Sequence, residues 1–340
     1  MTLEAARRIA DDILFPAAVA TDAADLIPVS RLDVLADAGL YGLAGPKDTG
    51  GMGIALPAAW SAVETIAGGC LTTAFVWSQH HGLVAALSAE DAPVHLRDAW
   101  LGPLCRGDRR AGVSFAGLLP GTPLLRARAV PGGWIFDGAA PWVTGWGRID
   151  VVHVAARTAD DPETGGTIVR AIVDARTGPT LTAEPLRLVA VNASGTVTLG
   201  FHEHIVAAER VTGTEPYGQW RARDPLALRL NGSFALGVGG RCLRLLGPTG
   251  LDDELEAVRS ELDGADAATL PAARARASAF ALRAATTLVV TNGARAVLLD
   301  EHAQRLAREA LFLLVFGSRS SIRSALLERL AADADAGASS

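Results

Sequence analysis

Gly133-Trp134-Ile135-Phe136-Asp137-Gly138, running on through Ala139-Ala140-Pro141 into Trp142-Val143-Thr144-Gly145, is the stretch on which the reading of this chain turns. Aromatic and branched residues bounded by glycines read as a β-strand. Alternate side chains of a strand share a face, so at a strand end the spacing predicts that Trp142 and Thr144 point the same way. An indole and a hydroxyl so placed can hold a flat heterocycle. A tryptophan there serves equally as a core residue of the β region, and these residues alone leave both readings open.

Working outward, Val151 to Ala155, Thr167 to Val173 and Thr196 to Phe201 are further short branched or aromatic runs, with Gly132-Gly133 and Gly165-Gly166 as hairpin turns. On the N-terminal side, apolar residues at three and four spacing predict helices over Val29 to Leu40 and Ala58 to Ala67, and a buried helix over Thr72 to Leu87. On the C-terminal side, helical stretches are predicted at about 225–246, 252–263 and 270–299, then a last helix from about 301 to 331. The expected fold is α+β, with a helical domain at 1–110, a central β domain at 111–215 and a C-terminal helical bundle at 216–340.

Composition narrows the function. At 340 residues and 49% hydrophobic, the chain can bury more than one core. A formal charge of -6 with acidic and basic residues interleaved gives no reason to expect nucleic acid or an anionic membrane as partner, so a small molecule is expected. Three widely spaced cysteines, Cys70, Cys105 and Cys242, suggest neither a disulfide framework nor a metal site. No signal peptide and no apolar run of about 18 residues is read, and a reducing cytoplasm is the expected setting. The histidines His80 and His81 lack the i, i+4 spacing of metal ligands on a helix, and His80 reads first as a hydrogen-bonded core residue, with a general base or a flavin contact as the alternative.

Here the chain resembles the acyl-CoA dehydrogenase superfamily. Its central stretch "G-[aromatic]-x-[aliphatic]-[N/D]-G-x-K-x-W-[I/V]-T" is matched by Gly133, Trp134, Phe136, Asp137, Gly138, Trp142, Val143 and Thr144, with Ala140 where lysine is usual. Leu35 to Leu43, continuing through Pro46 to Gly50-Gly51-Met52-Gly53, is similar to the family's "L-x-x-x-G-L-x-G-[I/L]-x-x-P-x-x-x-G-G-x-G". Arg305 to Ala310 is similar to "R-x-x-R-D-A".

The resemblance implies an FAD-dependent oxidoreductase, a flavoprotein acting on an acyl thioester or related small molecule. It implies cofactor contacts at Ser114, Phe115, Gly117, Trp142, Val143, Thr144, Gly317 and Ser318. A homo-oligomer is expected, since the fold's last helical domain packs on its copy and Leu311 to Phe316 is widely apolar; burial inside one subunit competes, and a hetero-oligomer is a further possibility.

Three family features are missing. Acyl-CoA dehydrogenation needs a carboxylate for the α-proton. The positions where the family carries that glutamate read Val315-Phe316-Gly317-Ser318 and Leu228 to Asn231, so no catalytic residue is identified, and Glu301 and Glu309 read as residues of a helix face. The "[T/S]-E-P-x-x-G-S-D" stretch is represented only by Ser114 and Gly117. No "R-x-x-F-G" loop follows Leu246, which leaves Arg259, Arg295 or Arg319 to neutralise a diphosphate. Two further readings therefore stand beside dehydrogenation: a flavin-dependent monooxygenase on the same fold, and a non-catalytic subunit of a hetero-oligomer.

Overall fold

The computed structural model describes residues 2–115, 118, 120–158, 165–223, 228–317 and 319–338. Helices come first: α1 (Thr2–Arg8, continued as a wider turn over Ile9–Leu14), α2 (Ala18–Asp22), α3 (Ser30–Asp37), α4 (Leu56–Gly69), α5 (Leu71–Ser88), α6 (Val94–Leu96) and α7 (Gly102–Arg106). Eight strands follow: β1 (Ala111–Ser114), β2 (Leu125–Val130), β3 (Gly133–Val143), β4 (Val151–Arg157), β5 (Thr167–Asp174), β6 (Leu181–Pro185), β7 (Val197–Ala207) and β8 (Val211–Pro216). Helices then return as α8 (Tyr217–Arg223), α9 (Leu228–Leu246), α10 (Asp252–Gly264), α11 (Leu270–Asn292), α12 (His302–Val315) and α13 (Ser320–Ala338).

The strands form one mixed sheet in the order β6-β7-β3-β2-β4-β5-β8, with β1 laid parallel on β4. All seven residues of β4 are buried, because it is covered on both faces. Val152, Val154 and Ala156 join the sheet's own core with Phe136, Val143 and Leu199, while Val151 packs under α5 and α7 beside Leu83 and Leu104. That second contact fixes the β region to the N-terminal helices. Gly82 lies inside α5 because a Cβ there would come within 2.8 Å of Val113, so the glycine allows β1 to approach the helix.

His80 ties the same junction. Its Nε2–H donates to the Leu104 carbonyl and its Nδ1 accepts the Ala111 N–H, both at 3.1 Å, so the ring is neutral and wholly engaged. Burial holds His80 well below the ordinary histidine value, as a core histidine requires.

The helical regions share one large apolar core in which α9 lies between α4 and α11. The expected single helix from 301 to 331 is two helices. α12 stops before Phe316, whose backbone is extended (φ -65°, ψ 130°), and Gly317 follows in a left-handed conformation (φ 62°) before α13 begins. No helix among the described residues is long and apolar enough to cross a membrane.

Candidate functional site

The end of β3 is irregular for a local reason. Ala140 pairs with Leu199 and Val143 with Val197, so β3 carries one more residue than β7 between the two pairings. The bulge breaks the alternation on which a shared face for Trp142 and Thr144 depended. Trp142 adopts a positive φ of 62° and its indole is 55% exposed, whereas Thr144 is 2% exposed. Trp142 and Thr144 therefore form two levels, with the indole outside and the hydroxyl beneath. A bulky residue at positive φ is uncommon and is held only by surroundings that over-determine it.

Those surroundings are polar and ordered. Ser194 Oγ lies 2.7 Å from Thr196 Oγ1, which lies 3.1 Å from Thr144 Oγ1, and the Gly145 and Trp146 N–H groups donate to the Ser194 and Gly195 carbonyls at 2.9 and 3.0 Å. Val143 is fully buried and anchors the strand in the sheet core. On β1, two residues before Ser114, Gly112 has room for no side chain: an added Cβ would stand 2.7 Å from Ile149 Cδ1 and 3.0 Å from the Thr144 carbonyl. The Ser114 hydroxyl is buried and, among the described residues, has no hydrogen-bond partner. Such an orphan is uncommon and fits a ligand that carries hydrogen-bonding atoms. Phe115 turns to the opposite face, edge-on to His153 at 5.4 Å and within the cluster of Leu118 and Tyr217. Gly117 and Ser318 lie outside the described residues.

The second half of the site comes from helices. Gly145, after the strand end, lies against Val76 of α5, its added Cβ 3.3 Å from Val76 Cγ1. The neighbouring Phe75 meets Phe234 of α9 at 6.3 Å, Phe312 of α12 at 5.4 Å and Phe316 at 5.0 Å between ring centroids. Just after this cluster, Gly317 approaches Asn231 so closely that an added Cβ would stand 2.7 Å from Asn231 Nδ2. The two stretches in which the resemblance places a glutamate, Val315 to Ser318 and Leu228 to Asn231, thus come together at Gly317 and Asn231, 86 residues apart in the sequence. They hold a glycine and a carboxamide, neither of which can take up a proton at neutral pH.

The other carboxylates considered are committed elsewhere. Glu301 pairs with Arg295. Glu309 is buried, 2.5 Å from Arg305 and likewise enclosed; desolvation by burial pushes its carboxyl above the usual range against the opposing pull of Arg305. Of the arginines considered for a diphosphate, Arg259 is held by Glu64 at 2.5 Å and by Glu256, and Arg295 by Glu301. The three cysteines are buried and free.

Comparison with known proteins agrees with this architecture. The family model for the acyl-CoA dehydrogenase N-terminal domain matches residues 1–108. The human mitochondrial short-chain specific acyl-CoA dehydrogenase is 25% identical over 249 residues, 72% of this chain and 60% of that protein. Butyryl-CoA dehydrogenase from Megasphaera elsdenii superposes with a TM-score of 0.81 at 20% identity, covering 96% of this chain and 95% of the other. Over its first third the chain matches the acyl-CoA dehydrogenase family, and along its length it has the fold of an acyl-CoA dehydrogenase. The FAD complex of PigA superposes with a TM-score of 0.81 at 17% identity, covering 97% of this chain and 96% of the other. The matched region spans about three fifths (60%) of the human relative's length.

Sequence reasoning singled out Trp142, Thr144 and Ser114 as candidates but not the hydroxyl chain through Thr196 and Ser194 or the phenylalanine wall. Thr196 lies 52 residues beyond Thr144, and no local pattern links the two.

Proposed function

We propose that this chain binds FAD against the end of β3 and serves as the oxidoreductase framework for an acyl thioester or related small molecule, without an α-proton base of its own. The observation that carries the reading is the bulge that holds the Trp142 indole outward above the Thr144-Thr196-Ser194 hydroxyls. Trp142 would lie along the isoalloxazine, Val143 would fix the height of the strand, and the unpartnered Ser114 hydroxyl would bond the cofactor's polar edge. When bound, the flavin would supply the two-electron acceptor. Gly317 and Asn231 would line the substrate side, the carboxamide donating to or accepting from a bound carbonyl.

Asn231 and Gly317 favour a second reading alongside it. Desaturation of a thioester needs a base for the α-proton, and this pair offers none. Either a partner chain supplies the carboxylate in a hetero-oligomer, or the reaction needs no such proton transfer, as in monooxygenation. We place the protein in the cytoplasm, as an oligomer.

An anaerobic absorbance titration tests this. The purified chain should take up FAD and turn yellow, and butyryl-CoA should perturb the flavin bands without bleaching them. Asn231→Glu, which adds the carboxylate and leaves the left-handed glycine at 317 in place, should gain bleaching by about 100-fold or more in rate, the scale of a positioned base. A colourless protein that takes up no FAD sinks the cofactor assignment, and bleaching of the unaltered chain by butyryl-CoA sinks the base-free reading.

A further inference from the structure

Away from this site, α1, α4, α9 and α10 enclose a cavity of about 660 Å³, the size of a small-molecule pocket. It opens beside the C-terminal half of α9, at Gly240, Leu243 and Arg244. At 1.5 Å per residue, Arg244 is roughly 20 Å along the helix from Asn231, so one helix carries both places.

Charge in its wall is unevenly spent. Arg259 is neutralised by Glu64 and Glu256, and the Asp11 carboxylate is taken by Arg241, whose guanidinium also donates to the Gly68 carbonyl. Asp252 is occupied at the start of α10, accepting the Thr249 N–H at 3.0 Å and facing its hydroxyl at 3.3 Å. Arg7 and Arg244 remain. Both line the cavity, and among the described residues neither has a carboxylate partner. The field of Arg244 is felt nearby, since Arg241 is held below the usual arginine value by burial first and by the Arg244 charge next.

Two guanidiniums brought from separate helices to one cavity suit a dianion with several oxygens better than a single carboxylate, which one guanidinium fork already satisfies. Leu243 and Leu255 supply an apolar wall, and Gly240 leaves its side of the cavity open. We propose that this cavity is a binding site for a small phosphate monoester with an apolar body, its phosphate held by Arg7 and Arg244 and its body against Leu243 and Leu255. The site is separate from the end of β3 and does not depend on the cofactor assignment.

Isothermal titration of the full chain with hexyl phosphate, AMP, inorganic phosphate and hexanol tests this. Hexyl phosphate or AMP should bind saturably, at least about 10-fold tighter than inorganic phosphate, and hexanol should not bind. Arg7→Gln and Arg244→Gln should each weaken binding about 10-fold or more, the scale of a lost charge-assisted hydrogen bond. Added salt should weaken it further. Gly240→Leu, whose Cβ would stand in ordinary contact 3.5 Å from Leu255 Cδ2, should block the cavity while leaving both arginines in place. FAD uptake should be the same in all variants. Absence of saturable phosphate-ester binding overturns the proposal. So does binding that the arginine variants leave unchanged, or a loss of FAD uptake in parallel with phosphate binding.

Discussion

At the end of β3, a one-residue bulge holds Trp142 at a strained φ of 62° and keeps its indole in the open. At the junction of α9 and α12, Phe75, Phe234, Phe312 and Phe316 pack ring on ring, and Gly317 meets Asn231 where the resemblance places a carboxylate. Strain that serves no packing purpose has been kept at the first place, while the second has been given over to packing. The lesson is that the two places are under separate demands: under the proposed function, one would present a cofactor platform and the other would lack the carboxylate that the resemblance leads one to expect beside it.

Phe234→Ala is the sharpest way to break that comparison. The ring is 1% exposed and touches Phe75 and Phe316 edge-on at 6.3 and 5.6 Å. Its removal should cost about 3–5 kcal/mol of stability, as for buried phenylalanines in general, read from urea unfolding. A loss below about 1 kcal/mol would mean that the wall is a loose channel, and the contrast with the β3 rim would fail.

A smaller effect comes from the joint between the two regions. His80 and His153 are buried and neutral, and burial brings His153 down to about 3 and His81 to about 4. Because these folded values lie below the unfolded one, the unfolded chain takes up protons first as pH falls. The histidines' contribution to stability is therefore complete above about pH 6.5 and is lost as pH falls below that, down to about pH 4 for His81 and about pH 3 for His153, at about 1.4 kcal/mol per pH unit for each. Unfolding curves at pH 7 and pH 5 check this, and His80→Gln should flatten the slope by one such increment. A slope that His80→Gln leaves unchanged would show that the ring is not held neutral at the joint.

The order of helices, strands and helices was legible because each region has its own periodicity, as in the branched run of β4 or the three-and-four spacing of Ala58 to Ala67. Trp142 stood out for its neighbours. What could not be read was how Trp142 is presented, because the bulge arises from a mismatch with Val197 and Leu199 on a strand far along the chain. The break at Gly317 was missed for a related reason. The apolar run before it continues a helical pattern, and only the extended backbone of Phe316 and the left-handed Gly317 after it interrupt that pattern. Asn231 and Gly317 form one place only after α9 and α12 have packed. Local patterns specify elements, and long-range pairings build sites.

Trp142→Ala probes the rim with a milder expected change. An aromatic platform contributes about 1–3 kcal/mol to stacking on a flat heterocycle. FAD binding should therefore weaken about 10- to 100-fold by fluorescence titration. Stability should move by no more than about 0.5 kcal/mol, since the indole is largely outside the core. If affinity holds and stability falls, Trp142 is a packing residue and the comparison inverts.

The smallest change in the fold is expected from Leu311→Gln with Val315→Gln, which divides the two explanations for the apolar end of α12. Phe312, Leu313 and Phe316 of that run face the protein's own core, but Leu311 is 51% and Val315 68% exposed, one turn apart on the same face. Burial within one subunit thus accounts for part of the run and leaves this face over. If the face is covered by another subunit, the double variant should lower the sedimentation mass to that of a single chain while the unfolding free energy of that chain changes by less than about 0.5 kcal/mol. An unchanged mass would remove the face from any subunit contact and leave two exposed side chains with no partner, as scattered surface apolar residues commonly are.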